Sequence, residues 1–194
     1  MPQAMPGVPA MPDDDEFLVG QARAGDLAAR EELFHRHFTI AYRVARRLLG
    51  HDQDAQDAVQ DGYIKALLHL ADFDGRSGFR TWLLRIVHNA ALDLGRKRRR
   101  RPALRLEIGA LDDPGATVQD DPAQGLRRED LRHLLDSALG KLSPDKRAAF
   151  VLFAEAGLSY KEIADIQKVP VGTIMSRLHD ARKKLQAALD GVEF

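Results

Sequence analysis

The chain has 194 residues, of which 44% are hydrophobic, 30% charged and 6% aromatic, with 29 basic and 29 acidic side chains. It has no cysteine, which excludes a disulfide scaffold, a thiolate zinc site and a cysteine nucleophile. The N-terminus lacks the basic start and apolar middle of a signal peptide, and no run of about 18 apolar residues occurs. We therefore expect a cytoplasmic protein without stable membrane insertion.

Composition divides the chain into four parts. Residues 1–12 are rich in Pro and Met and follow no period, which predicts a disordered tail. Residues 13–101 follow a helical period, and so do residues 126–194. Between them, residues 102–125 carry five acidic side chains and one basic one among turn-forming residues, which predicts a flexible linker. The sequence predicts an all-α fold of two small helical domains joined by this acidic linker.

The first informative helix begins near Asp54. Five apolar positions are expected to be buried: Ala58, Val59, Ile64, Leu67 and Leu68. The polar positions form a cluster at helical spacing: Asp54, Asp57, Gln60 and Asp61. Three carboxylates on one helix without a histidine at i+3 make a poor coordination sphere, so we expect no metal. A solvated face and a docking patch for a basic partner both remain open.

The next predicted helix covers about residues 79–100 and follows a glycine-containing loop. Its expected core stripe is Phe79, Trp82, Leu83, Ile86, Val87, Ala90 and Leu94. Its other faces carry Arg80, Thr81, Arg85, His88 and Asn89, and its end is the basic run of residues 96–101. Amide, guanidinium and aromatic groups beside a flexible loop suit an unstacked nucleic-acid strand. For Trp82, a plain core position fits the pattern better.

Helix-start and helix-stop signals punctuate the C-terminal part. Ser143 and Pro144 suit the start of a helix, and Gly157 suits its C-cap. Ser159 and Glu162 form a capping-box pattern that starts a second helix. Pro170 forbids continuation of that helix and can open a third. Two short helices joined by a tight turn are typical of a helix-turn-helix, in which the second helix lies in the major groove.

That second helix has one apolar stripe and one mixed face. The stripe is Ile174, Leu178, Ala181, Leu185 and Leu189. The mixed face is Thr173, Met175, Ser176, Arg177, His179, Asp180, Arg182, Lys183 and Lys184. Similar helix pairs occur in bundles that never touch DNA, but the "PVGT" start offers N–H groups and a hydroxyl that suit phosphate.

Together these stretches resemble an extracytoplasmic-function sigma factor, a branch of the sigma-70 family of bacterial RNA polymerase. "DAQDAVQDGYIKA" resembles sigma region 2.2, and "FDGRSGFRTWLLRIVHNAALDLGRKRRRR" resembles regions 2.3 and 2.4. "LSPDKRAAFVLFAEAGLSYKEIADIQKVPVGTIMSRLHDARKKL" resembles region 4. The resemblance implies a region 2 domain over residues 13–101 and a region 4 domain over residues 126–194.

The resemblance also implies partners and sites. Core RNA polymerase would bind through the clamp helices of its largest subunit and its flap, with Asp54, Asp57, Gln60 and Asp61 on the clamp. Melted minus-ten DNA would meet Arg76, Ser77, Arg80, Arg85, His88, Asn89, Arg96, Lys97 and Arg98. Double-stranded minus-thirty-five DNA would meet Thr173, Met175, Ser176, Arg177, His179, Arg182 and Lys183. Within the minus-ten set, Asn89 and the loop of residues 74–79 would hold a flipped base. An anti-sigma partner is expected, whereas catalysis, a cofactor and a metal are not.

Three positions depart from the usual family pattern. Met175 stands where relatives carry Lys or Arg, Asp180 stands where a basic residue is common, and Lys168 replaces a frequent turn glycine. Loss of an arginine at a base-reading position removes a guanine contact worth about 1–3 kcal/mol of discrimination. We therefore predict a minus-thirty-five preference with less dependence on guanine, and Met175 can instead meet a thymine methyl group.

Two other functions are alternatives to that of a sigma factor. An autonomous helix-turn-helix regulator would share the C-terminal part but needs no acidic patch at residues 54–61. A metal-dependent hydrolase could use His35 and His37, but side chains at i and i+2 point to different helix faces. We therefore interpret both histidines as structural.

Overall fold

In the computed structural model, residues 14–100 and 134–189 are described, and every regular element in them is helical. The elements are α1 Asp14–Arg23, α2 Leu27–Leu49, α3 Asp52–Leu68, a 3-10 turn Leu70–Asp72, α4 Phe79–Arg100, α5 over residues 134–140, α6 Pro144–Ala154, α7 Tyr160–Gln167 and α8 Val171–Leu189. The predicted all-α class is confirmed. The predicted tail, residues 1–12, and linker, residues 102–125, lie outside the described residues. Within the described ranges no helix has the length and apolar character needed to cross a membrane.

Local chemistry sets the ends of α2. The Asp26 carboxylate accepts from the backbone N–H groups of Ala28 and Ala29, at 2.9 and 3.1 Å, and so satisfies two donors that the first helical turn leaves free. At the other end Gly50 adopts φ 81°, and its N–H donates to the Arg46 carbonyl at 2.8 Å. Glycine adopts this left-handed conformation without steric cost, so α2 stops there and the chain turns into α3.

Close packing of α3 on α4 overturns part of the predicted core. The buried face of α3 consists mostly of small residues: Ala55, Ala58, Val59, Gly62 and Ala66. A Cβ atom at Gly62 would lie 2.9 Å from Val87 Cγ2, so the two backbones approach too closely for larger side chains. The prediction that Ile64, Leu67 and Leu68 are buried is wrong, because they lie on the opposite face with 51%, 42% and 73% of their surface exposed.

Helix α4 is buried on more than one side. Its predicted stripe packs into the core, with Phe79, Leu83, Val87 and Ala90 buried and Trp82 partly buried. However, Thr81 and His88, predicted on the outward faces, are only 5% and 2% exposed. The sequence pattern identified one buried face of α4. Contacts with the C-terminal half cover a second face of this helix.

The C-terminal helices begin largely as predicted. Pro144 opens α6, but α6 ends at Ala154, before the predicted cap Gly157. Gly157 instead closes the following turn with φ 63°, and its N–H donates to the Phe153 carbonyl at 3.1 Å. The capping box of Ser159 and Glu162 at the start of α7 is confirmed. Most of the predicted apolar stripe of α8 is also confirmed, with Ile174, Leu178, Ala181 and Leu185 buried. The side chain of Leu189 lies outside the described set.

The N-terminal and C-terminal helices pack against each other. A continuous cluster of buried side chains runs from α1 to α8. Polar contacts surround it: the Arg47 guanidinium lies 2.6 Å from a carboxylate oxygen of Asp136 and 3.3 Å from one of Glu155. Arg147 Nη1 donates to the Leu48 carbonyl at 3.1 Å. The two halves therefore form one packed body in this state, which a flexible linker alone does not predict.

Candidate polymerase and promoter interfaces

The outer face of α3 holds three of the four residues predicted to dock polymerase. Asp57, Gln60 and Asp61 are exposed, and Lys65 Nζ lies 2.7 Å from Asp61 Oδ2. An exposed pair of this kind is weak, so it leaves the carboxylate available to a cationic partner. Asp54 differs: it is buried and forms an ion pair with Arg98 of α4. The prediction that Asp54 belongs to the exposed cluster is therefore wrong.

The same face of α3 continues into an apolar half that sequence reasoning missed. Ile64, Leu67 and Leu68 follow the acidic residues along one exposed side of the helix. Their spacing of three and four residues is that of a core stripe, so the sequence alone carried no signal that they face outward. An exposed surface with one charged half and one apolar half suits a protein partner.

The loop before α4 is stabilised by a local turn and borders a cleft. The Asp74 carboxylate accepts from the Arg76 backbone N–H at 3.1 Å, and hydrogen bonds from Arg76 hold the pKa of this exposed carboxyl below its usual range. A cleft of about 390 Å³ lies between this loop and α1, lined by Asp15, Val19, Phe73, Ser77 and Phe79 among others. The sequence pattern gave no indication that α1 takes part, because α1 and the loop are far apart in the chain.

Across from the acidic face of α3, the end of α4 presents its cations. A groove of about 480 Å³ between the two helices is lined by Asp57, Asp61, Asp93, Arg96, Lys97 and Arg100 among others. Lys97 is exposed, and Arg96 Nη1 lies 3.3 Å from Asp93 Oδ1. The structure thus brings the predicted polymerase patch and part of the predicted minus-ten patch to the two walls of one groove.

The first turn of α4 contacts the C-terminal half. The Thr81 hydroxyl donates to Glu162 Oε1 at 2.7 Å, and the Arg80 guanidinium donates to the Ala156 carbonyl. Glu162 also accepts from the Ser159 hydroxyl, at 2.7 Å. Burial alone would raise the pKa of Glu162, but hydrogen bonds from Thr81 and Ser159 outweigh burial and lower it. Arg80, a predicted minus-ten residue, is therefore engaged within the protein here.

His88 and Asn89 are neighbours in sequence but differ in exposure. Asn89 is exposed, as a base-holding residue requires, and its Oδ1 lies 3.3 Å from His88 Nδ1. His88 is buried, and burial lowers its pKa, so its ring is neutral at pH 7. The predicted DNA contact of His88 does not fit this position, whereas that of Asn89 does. Arg85 is half-buried on the same helix.

On α8 the structure divides the predicted minus-thirty-five residues into two sets. Arg177 donates to Gln167 Oε1 at 2.5 Å and to Asp145 Oδ2 at 2.9 Å, so its guanidinium braces α8 against α7 and α6. The Arg182 guanidinium lies 5.1 Å from the centre of the Phe153 ring. The exposed positions of the predicted set that make neither contact are Met175, Ser176, His179 and Lys183, and Thr173 is half-buried.

The structure shows the surroundings of two of the unusual residues. Asp180 lies 2.7 Å from Lys146 Nζ of α6, and this lysine lowers the pKa of the Asp180 carboxyl. Lys168 occupies the turn between α7 and α8 with φ 54° and ψ 48°, the left-handed conformation that glycine adopts at less cost.

No group of three or more potential metal ligands occurs among the described His, Asp and Glu side chains.

Comparison with known proteins identifies both halves of the chain. Residues 33–101 match the family Sigma-70 region 2, and residues 132–185 match Sigma-70, region 4. The chain is 36% identical to the RNA polymerase sigma factor CnrH of Cupriavidus metallidurans, over 92% of this chain and 95% of that protein. It is 31% identical to the RNA polymerase sigma-H factor of Pseudomonas aeruginosa, over 91% and 94%.

Solved structures agree with these relatives. CnrH in complex with the cytosolic domain of CnrY superposes with a TM-score of 0.69 at 32% identity, covering 92% of this chain and 99% of that one. The sigma factor RpoE of Bartonella quintana, in complex with the anti-sigma factor NepR, gives 0.66 at 27% identity, covering 84% and 98%. The chain thus belongs to the sigma-70 family of RNA polymerase sigma factors, in its extracytoplasmic-function branch.

Proposed function

We propose that this protein is a promoter-specificity sigma factor that binds core RNA polymerase, recognises minus-ten and minus-thirty-five elements and helps to open the DNA. Residues 13–101 bind polymerase and the minus-ten element, and residues 126–194 bind the minus-thirty-five element. Residues 1–12 and 102–125 are the tail and the linker. One observation carries the proposal: an acidic face on α3, a loop that borders a cleft and a pair of helices joined by a tight turn follow one another in a chain of this family.

Polymerase docks on the outer face of α3. Asp57, Gln60 and Asp61 offer carboxylates and an amide to the clamp helices of the largest subunit, and the neighbouring apolar half adds contact area. The buried Asp54 acts indirectly, because its ion pair with Arg98 holds α3 against α4. Region 4 contacts the flap of the polymerase.

Minus-ten recognition uses the loop of residues 74–79, Asn89 and the cations at the end of α4. The cleft beside the loop admits one unstacked base, and the amide of Asn89 offers a donor and an acceptor to a base edge. Arg96 and Lys97 follow the phosphates. Because an extruded base must leave the stack at a cost of a few kcal/mol, base capture couples recognition to strand opening.

Minus-thirty-five recognition places α8 in the major groove of double-stranded DNA. Thr173 and Ser176 in its first turns meet phosphates or base edges, and Lys183 lies near the backbone. Arg177 fixes the position of α8, because its guanidinium donates hydrogen bonds to α6 and α7.

An anti-sigma factor controls this protein. CnrH and the Bartonella quintana RpoE, both similar over most of this chain, have solved structures in complex with CnrY and NepR respectively. The protein acts in the cytoplasm, where RNA polymerase works, and it needs neither catalysis nor a cofactor of its own, because its contribution is binding.

An autonomous helix-turn-helix regulator is the alternative. It would bind DNA without polymerase and would make no use of the α3 face. Purification of the tagged full-length chain with core polymerase separates the two: a sigma factor forms a stoichiometric complex with the core enzyme, whereas an autonomous regulator elutes alone and binds its operator as a free protein.

A further inference from the structure

The first turns of α8 expose two apolar side chains. Val171 is 41% exposed and Met175 is 56% exposed. Their spacing of four residues places them as neighbours on one side of the helix. Scattered apolar side chains are ordinary on a protein surface, but these two lie on the turns that a helix-turn-helix presents to base edges.

The arginines of α8 are engaged elsewhere. Arg177 is held by Gln167 and Asp145, with its side chain only 19% exposed, and Arg182 stacks over Phe153. Asp180, a carboxylate on the next turn, pairs with Lys146. An arginine fork that reads guanine bidentately is therefore not offered by the first two turns of α8.

Apolar side chains in the major groove distinguish one base pair from another through a single group, the thymine methyl. The C5-methyl of thymine is the apolar feature among the hydrogen-bonding groups that base pairs display there. Val171 and Met175 gain contact with such a methyl, and each methyl removed from water strengthens binding about three- to fourfold. Four helical residues rise about 6 Å, and base pairs are about 3.4 Å apart, so the two side chains reach positions about two base steps apart.

We propose that Val171 and Met175 read thymine methyl groups at two positions of the minus-thirty-five element. This rests on the proposed function of α8 as the minus-thirty-five helix. Specificity at these two positions then depends on methyl contact and not on a hydrogen bond to a base edge.

The test uses the holoenzyme, reconstituted from the full-length chain and core polymerase, on the strongest promoter selected from a random library. Thymidine in the minus-thirty-five element is replaced by deoxyuridine one position at a time, which removes the methyl group alone. We expect a loss of about three- to fourfold in binding at each of two positions. Where cytosine replaces one of these thymines, 5-methylcytosine should recover binding relative to cytosine.

Matched variants assign each methyl to its side chain. Met175→Ala should abolish the difference between thymine and uracil at one position, and Val171→Ala should abolish it at the other. Both side chains are exposed, so folding should persist. Lys183→Ala is the control, because loss of a phosphate contact should weaken the thymine and uracil promoters equally.

Two outcomes overturn different statements. If thymine and uracil bind equally at every position while a scrambled minus-thirty-five element abolishes binding, methyl reading is wrong and the proposed function stands. If scrambling that element has no effect, the proposed role of α8 itself is wrong.

Discussion

The two helices expected to read the promoter, α4 and α8, have different surroundings. The mixed face of α8 is exposed, and Arg177, which supports this helix, contacts Gln167 of α7 and Asp145 of α6. The first turn of α4 instead contacts the C-terminal half through Arg80 and Thr81. The face of α8 that we propose for the minus-thirty-five element is therefore already exposed, whereas these contacts must break before the start of α4 is free to meet DNA.

The difference between the helices also assigns separate tasks to binding partners. The face of α3 that we propose for polymerase docking is left exposed by the C-terminal half. We therefore expect polymerase to bind first and to separate the halves, after which α4 and α8 can reach two promoter elements at once.

Reversing the charge of Asp61 should have the largest effect. Asp61→Lys places a cation on the docking face of α3, and loss of a close charge pair at an interface should weaken core binding by roughly thirtyfold or more. Folding should persist, because Asp61 is exposed. Fluorescence anisotropy with core polymerase measures the change. Asp165→Lys, the same change on the exposed face of α7, is the control and should bind normally.

Truncating Asn89 should leave polymerase binding unchanged and impair promoter opening. Asn89→Ala removes both the donor and the acceptor offered to the flipped base, and we expect about tenfold less open complex, the effect of one good base contact. Permanganate footprinting of the minus-ten region reports the opening, and a core-binding assay reports docking. Normal opening by this variant would count against the assignment of Asn89.

Removing the hydrogen bond between Thr81 and Glu162 should free the first turn of α4, so that α4 becomes accessible to DNA as α8 already is. Thr81→Val keeps the shape of the side chain and removes a hydrogen bond worth about 1 kcal/mol, so the open form should become about fivefold more populated. The chain has no cysteine, so dyes on introduced cysteines at His69 and Asp165 can report the separation of the halves.

The control for this prediction is Ser159→Ala, which weakens the α7 cap without removing the Thr81 donor. The closed form is the one in which the two halves are packed together. If the efficiency of energy transfer between the two dyes is the same in wild type and Thr81→Val, with the closed form dominant in both, the contact between Thr81 and Glu162 does not hold the halves together.

Acid should destabilise the protein through His88. Burial lowers its pKa below the usual value of 6.5, so the unfolded chain binds the proton more readily than the folded one. Stability is then full above about pH 6.5 and declines as the pH falls towards the lowered pKa, by at most about 1.4 kcal/mol per pH unit. Urea unfolding across this range should show a smaller decline in His88→Gln, whereas the exposed control His35→Gln should behave as wild type.

The smallest effect concerns the turn before α8. Lys168→Gly removes the steric cost of the left-handed backbone conformation at this position and should stabilise the protein by about 0.5–1 kcal/mol. The larger conformational entropy that glycine loses on folding offsets part of the gain. Thermal unfolding measures it. Lys184→Gly, within α8, should instead destabilise by about 1 kcal/mol, because glycine is a poor residue in a helix interior.

The two helices also show how far sequence reasoning reaches. Four of the five predicted stripe positions of α8 are buried because this helix buries one face, and one face produces one period. The capping box of Ser159 and Glu162 was equally visible, since both partners lie within one turn. Features set by residues close in sequence were therefore available from the pattern.

Predictions failed where a distant element decides burial. Thr81 and His88 are buried because α4 has neighbours on more than one side, and Ile64, Leu67 and Leu68 are exposed because Gly62 lets α3 approach α4 on the other face. The ion pair of Asp54 with Arg98 joins residues on different helices. No local period contains this information.

Run-off transcription with purified core polymerase on genomic DNA fragments tests the central claim most directly. We predict discrete transcripts that require the wild-type chain and that disappear with Asp61→Lys, although this variant remains folded. Core polymerase giving the same transcripts with and without the protein, or wild type and Asp61→Lys initiating equally well, would contradict the account.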